Sequence, residues 1–258
     1  MATNDAVPGA DPIRGSLWLR YASPQAFYPV AGRMIPYFAV LAAVFAAAGL
    51  YVGFFVAPTD FQQGESYRII FLHVPAAWMS MVIYVVMAFW AGVGLVFRTR
   101  LSAMMATALA PTGALMAFIA LSTGALWAKP TWGVWWVWDA RLAGELALLL
   151  LYLGIMALQA ALGDPHRRDR AGALLALAGA LVVPLLVFSI QWWNTQHQDA
   201  GASVMRAPAM SGLMMAGALL MVAAFWAWAI AVALHRARSI ILEREGDGDG
   251  IERPGAAA

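Results

Sequence analysis

Residues 69–97 read IIFLHVPAAWMSMVIYVVMAFWAGVGLVF, without one Asp, Glu, Lys or Arg. A helix needs roughly 20 predominantly apolar residues to cross the hydrocarbon of a bilayer, and this run exceeds that length. It is apolar all round, so it is neither a surface helix with one wet face nor the alternating strand of a membrane barrel. Working outward, five further stretches share the property: Met34–Ala57, Leu101–Ala128, Leu146–Gly163, Ala171–Gln191 and Ala207–Leu234. The fourth span in chain order, Leu146–Gly163, is the shortest and is expected to begin nearer Leu142, with Glu145 in its first turn. The chain therefore reads as an all-α integral membrane protein, a six-transmembrane-helix bundle.

Composition agrees. Of 258 residues, 62% are hydrophobic and 12% charged, against about 25% charged in an average soluble domain. A net charge of +2 gives no ground for nucleic-acid binding. The absence of cysteine excludes thiolate metal sites, disulfide exchange and haem attached through the protein's own thiols. Cations sort by loop. Arg14, Arg20, Arg33, Arg98, Arg100, Arg167, Arg168, Arg170, Arg236, Arg238, Arg244 and Arg253 fall on one side, and Arg68, Lys129, Arg141 and Arg206 on the other. The positive-inside rule then puts both termini in the cytoplasm and the loops after spans one, three and five outside. Residues 1–33 form a cytoplasmic segment, with Ser16–Phe27 reading either as an interfacial stretch or as an ordinary flexible tail, residues 34–235 the membrane domain, and residues 236–258 a disordered cytoplasmic tail.

The outer loops carry the chemistry. Eight of the twelve tryptophans lie in or beside them: Trp78, Trp127, Trp132, Trp135, Trp136, Trp138, Trp192 and Trp193. An aromatic belt accounts for some of these. It accounts poorly for the segment Trp127–Arg141 (WAKPTWGVWWVWDAR), with five tryptophans in twelve residues. Trp132, Trp135, Trp136 and Asp139 recur at i, i+3, i+4, i+7, which predicts a short tryptophan-rich interfacial helix with a carboxylate at one end. His166 and His235 lie among inner arginines as solvated residues. His73 and His197 both fall on the outer side, from separate loops.

Two histidines can serve zinc only if Asp60, Glu65, Asp139 or Asp199 complete the set. They can serve haem unaided, because the porphyrin fills the equatorial positions and two imidazoles close the axial ones. A tryptophan surface suits the flat macrocycle, and its propionates need cations, for which the outer side offers Arg68, Lys129, Arg141 and Arg206, arginine suiting carboxylates best and interfacial anchoring being their other use. Arg141 has a second candidate partner in Glu145, one helical turn on.

At these residues the chain resembles the CcmC family of cytochrome c-type biogenesis proteins. The resemblance is carried by the WWD signature, here Trp132–Leu142 (WGVWWVWDARL), together with Ala57–Ala77 (APTDFQQGESYRIIFLHVPAA) and Gln191–Gln198 (QWWNTQHQ). It covers spans one to six, and departs where Ala143 follows Arg-Leu in place of the usual Thr. It implies a haem-delivery protein of the bacterial inner membrane whose active face is periplasmic. His73 and His197 would be axial ligands of haem b, with Trp132, Trp135, Trp136, Trp138, Asp139, Arg141 and Arg68 around the macrocycle. Implied partners are the periplasmic haem chaperone CcmE, the small single-span subunit CcmD and the ABC transporter subunits CcmA and CcmB. The covalent haem bond forms on the chaperone's histidine, so the chain itself is not expected to be an enzyme. A haem permease is the first rival and a b-type electron-transfer subunit the second. The spans show few strongly polar groups for a permeation path, and the outer histidines lie on one side with no second pair for transmembrane electron flow.

Overall fold

A computed structural model describes residues 23–192 and 211–245, the side chains of 190–192 excepted. Six helical stretches are long and apolar enough to cross a membrane, matching the six expected spans. They comprise α1 (Pro24–Tyr51, continued by a π turn, Val52–Val56), a 3₁₀ turn (Glu65–Ile69) leading into α2 (Ile70–Phe97), α3 (Arg100–Trp132), α4 (Ala140–Ala161), the broken pair α5 (Pro165–Gly179) and α6 (Val182–Trp192), and α7 (Gly212–Glu245). The fifth span breaks at Ala180–Leu181, shortly before Pro184, whose missing N–H and ring disfavour a continuous helix.

Large apolar side chains such as Val40, Val44, Phe89, Phe118 and Leu150 face outward along the spans. Soluble monomers rarely expose apolar surface so extensively, so lipid is their natural solvent. The interior is filled by Tyr84, Tyr152, Phe71, Met87, Met104, Met116 and Leu148. The most extensive packings are α1 on α7 and α2 on α3. Small residues permit the first of these, since a Cβ on Gly49 would come within 2.9 Å of Met221.

The helices run past the apolar stretches that mark them. Span one starts at Pro24, ahead of the Met34 boundary, with the Ser23 hydroxyl capping the Ala26 amide at 3.2 Å. The tail expected to be disordered from residue 236 is instead helical to Glu245. Its buried Ile241 packs on Leu101 and Met104, and Arg238 lies over the Tyr28 ring at 4.2 Å. Glu245 accepts from Gln25 Nε2 at 2.9 Å and pairs with Arg100 at 2.5 Å. The start of α1, the start of α3 and the end of α7 thus meet at one arginine-rich end. The start of α5 joins them, because Arg244 grips Asp169 through two bonds of 2.8 and 3.0 Å. The tryptophan segment lies at the other end.

Candidate functional site

Phe71 sets the rotation of α2. Its ring fills a slot between two glycines: a Cβ on Gly53 would approach it to 2.6 Å and one on Gly217 to 3.0 Å. Two residues further, about 200° around the helix, His73 faces α3. Its Nδ1 lies 3.0 Å from the Ala120 carbonyl and 3.2 Å from the Thr123 hydroxyl. A carbonyl can only accept, so Nδ1 carries the proton and the ring's lone pair sits on Nε2, the nitrogen then suited to a metal. Gly124 makes room for the ring, since a Cβ there would stand 3.0 Å from Cε1. Trp127 meets the imidazole edge-on at 5.7 Å, and its own Nε1 donates to Gln63 Oε1 at 2.8 Å. Gln63 is held by an Asx turn, in which Asp60 Oδ1 accepts from the amides of Gln62 and Gln63 at 2.9 and 2.8 Å. The loop that follows the π turn is therefore braced onto α3 beside His73.

The tryptophan segment corrects one expectation. Residues 133–139 are not helical, so no interfacial helix forms and the i, i+3, i+4, i+7 match marks no common face. α3 ends at Trp132 because Gly133 takes φ 80°, a left-handed cap. The following Val-Trp-Trp-Val-Trp run consists of residues that prefer extended backbone. Asp139 then starts α4 as its N-cap, accepting from the Leu142 amide at 2.7 Å. Trp135 and Trp138 are 55% and 79% exposed, so the loop offers them outward. Trp136 turns in, packs edge-on against Trp138 at 5.3 Å and buries an Nε1 that has no partner among the described residues. Lys129 stands 5.9 Å over the Trp135 ring and donates to the Gly133 carbonyl at 2.9 Å.

The two candidate arginines differ. Arg68 bonds the carbonyls of Gly53 and Ala57 and the carboxylate of Glu65, and its side chain is 14% exposed. It caps the carbonyls of the π turn, which competes with a role toward a bound carboxylate. Arg141 lies in the first turn of α4, half-buried, two residues after the Asp139 cap. The Arg141–Glu145 pair considered as an alternative does not close. Glu145 lies in the second turn of α4, because the helix begins at Ala140, and it is buried facing Ser80 with Oε1 unpartnered among the described residues. His197, Trp193 and Arg206 lie outside the described residues. The structure thus brings His73, Trp127 and Gln63 together, and clusters Lys129 with Trp135 and Trp136 with Trp138. Thr123, Gly124 and the Ala120 carbonyl escape a sequence reading, because their role depends on which face α3 turns to α2.

Comparison with known families matches residues 17–251 to CcmC, described as "Heme exporter protein C". The chain belongs to the CcmC family. Among its CcmC relatives, "Heme exporter protein C" of Haemophilus influenzae is 40% identical over 88% of this chain and 93% of its own length. The protein of the same name from Escherichia coli is 48% identical over 69% and 73%, respectively. That from Bradyrhizobium diazoefficiens is 42% identical over 86% and 84%.

Proposed function

We propose that this CcmC-family chain binds haem at the periplasmic face of the bacterial inner membrane and delivers it to the haem chaperone CcmE for cytochrome c maturation. The observation that carries the reading is the fixed imidazole of His73, whose Nδ1–H is held by Ala120 and Thr123 with the lone pair on Nε2. Haem b is the cargo, and it supplies an iron that two imidazoles can close, an apolar macrocycle and two propionates. His73 takes one axial position and His197 the other. The exposed Trp135 and Trp138 receive the macrocycle and its approaching partner, and Trp136 backs Trp138 from within the loop. Arg141 is the propionate partner of choice, since Arg68 is engaged with carbonyls of its own chain. CcmD, CcmA and CcmB are the membrane partners in this reading. Both chain termini are cytoplasmic and the chain performs no covalent step itself.

The test is chaperone loading in cells expressing the full set of partners. His73→Ala should reduce covalently haem-loaded chaperone, read on a haem-stained gel, at least about tenfold, as for loss of one strong ligand contact. Undiminished loading, with the variant present in the membrane, would overturn the proposal.

Passage of haem through the bundle is a second reading, favoured by buried polar groups that the sequence alone undersold: Ser80, Thr112, Glu145 and Gln159. Between them, Tyr84 and Tyr152 are fully buried, packed edge-on at 4.9 Å, and Tyr152 donates to the Ser80 carbonyl at 2.7 Å. That plug opposes passage. Haem accumulation in sealed vesicles containing this chain alone is the outcome that would establish it.

A further inference from the structure

The arginine-rich end is hollow. A cavity of about 1150 Å³ opens there among the inner ends of α2, α3, α4, α5 and α7. Along α2 its lining runs from Arg98, at the end of the apolar run, to Met87, a depth of about 16 Å at 1.5 Å per residue. That is roughly half of a 30 Å hydrocarbon layer. Below the arginines its lining is apolar, with Leu95 nearest the mouth and Met87, Ile155 and Ala176 deeper, and the Tyr84–Tyr152 pair packs in the core beyond it. The volume lies at or above the range of about 300–1,000 Å³ typical of small-molecule sites, so there is room for a whole molecule and not only an ion.

The rim is cationic beyond its local needs. Arg98, Arg100, Arg168, Arg170 and Arg244 line the cavity, against the carboxylates of Asp169 and Glu243. Arg244 is held by Asp169, Arg100 by Glu245, and Arg168 reaches the Leu162 carbonyl at 3.3 Å. Arg98 and Arg170 have no ion-pair partner among the described residues. The start of α3 adds to the field, because Thr99 gives its amides no side-chain cap and turns its hydroxyl to Ser102 at 2.7 Å instead. Membrane topology accounts for basic residues at this end; it does not account for a deep void beneath them.

We propose that this vestibule binds an acidic amphiphile, its anionic groups at Arg98 and Arg170 and its apolar body among Met87, Leu95, Ile155 and Ala176. Two sources share that chemistry: an anionic phospholipid from the inner leaflet, and haem with its two propionates entering from the cytoplasmic side. A small hydrophilic anion would leave the apolar floor unused.

The experiment uses the full chain in phosphatidylcholine nanodiscs, in a His73→Ala/His197→Ala background that silences the outer site. Phosphatidylglycerol retention is counted by native mass spectrometry, and haem is titrated by absorbance. At least one ligand should bind, and Arg98→Gln/Arg170→Gln should weaken it about tenfold, the scale of lost charge-assisted contacts. Arg98→Lys/Arg170→Lys should restore most of the binding. Ala106→Trp, which fills the funnel and leaves the arginines in place, should weaken it as well, and covers the case in which the glutamine variant does not fold. Loss of phosphatidylglycerol alone identifies the lipid source, and loss of haem alone a cytoplasmic haem site. The proposal is overturned if neither ligand binds above the zwitterionic lipid, or if binding survives the glutamine and tryptophan changes.

Discussion

At the scale of single residues, the site depends on how α3 holds one imidazole. Gly124 leaves just enough room for the His73 ring, so Gly124→Val should push it off its Nδ1 contacts. Haem affinity should fall by tenfold or more, while overpacking costs about 1–3 kcal/mol of stability. Haem titration and a thermal melt read the two effects separately, and an unchanged affinity would remove Gly124 from the account. Thr123→Val deletes one of two Nδ1 partners and keeps the carbonyl. It should cost about 0.5–1.5 kcal/mol of haem binding, less than tenfold or close to it. That His73 lies at the tryptophan-rich end of the bundle was legible in the sequence, and its edge-on contact with Trp127 agrees. Its tautomer was not legible, because the Ala120 carbonyl lies in another helix.

At the scale of elements, the tryptophan segment is a loop strung between two defined helix ends. Gly133 closes α3 in the left-handed region, and Asp139 opens α4 as its cap. Gly133→Ala should cost about 1 kcal/mol or somewhat more, because a Cβ is strained at φ 80°. Asp139→Ala should cost about 1 kcal/mol through the lost cap, and Asp139→Asn much less. Melting temperatures measured in one detergent check both, and an equal loss for Ala and Asn would show that the carboxylate's charge matters more than its capping oxygen. The periodic spacing of Trp132, Trp135, Trp136 and Asp139 predicted a helix that does not exist. The contrary signals were local: a glycine directly after Trp132 and two β-branched valines among the aromatics. Helix ends escape a hydropathy reading for a related reason. Charged residues mark where lipid stops, and α1 and α7 continue beyond it because Tyr28, Arg238 and Ile241 give them surfaces to pack on.

At the scale of the molecule, six spans, their order and the clustering of arginines at one end were readable from hydropathy and charge. The vestibule was not, since it is a space bounded by five helix ends that no single stretch of sequence describes. Because the chain has no cysteine, orientation can be tested cleanly. A cysteine at Thr131→Cys should react with a membrane-impermeant maleimide on intact spheroplasts, and one at Ser239→Cys only after lysis. The reverse pattern would invert the proposed topology and place the tryptophan loop in the cytoplasm. The proposed haem delivery requires His73 and His197 to close opposite faces of one haem iron. The most direct measurement is the visible spectrum of the purified chain reconstituted with haem, oxidised and reduced, beside His73→Ala and His197→Ala. A six-coordinate bis-histidine spectrum is expected, lost in each variant; its persistence in either one would rule out the paired ligation.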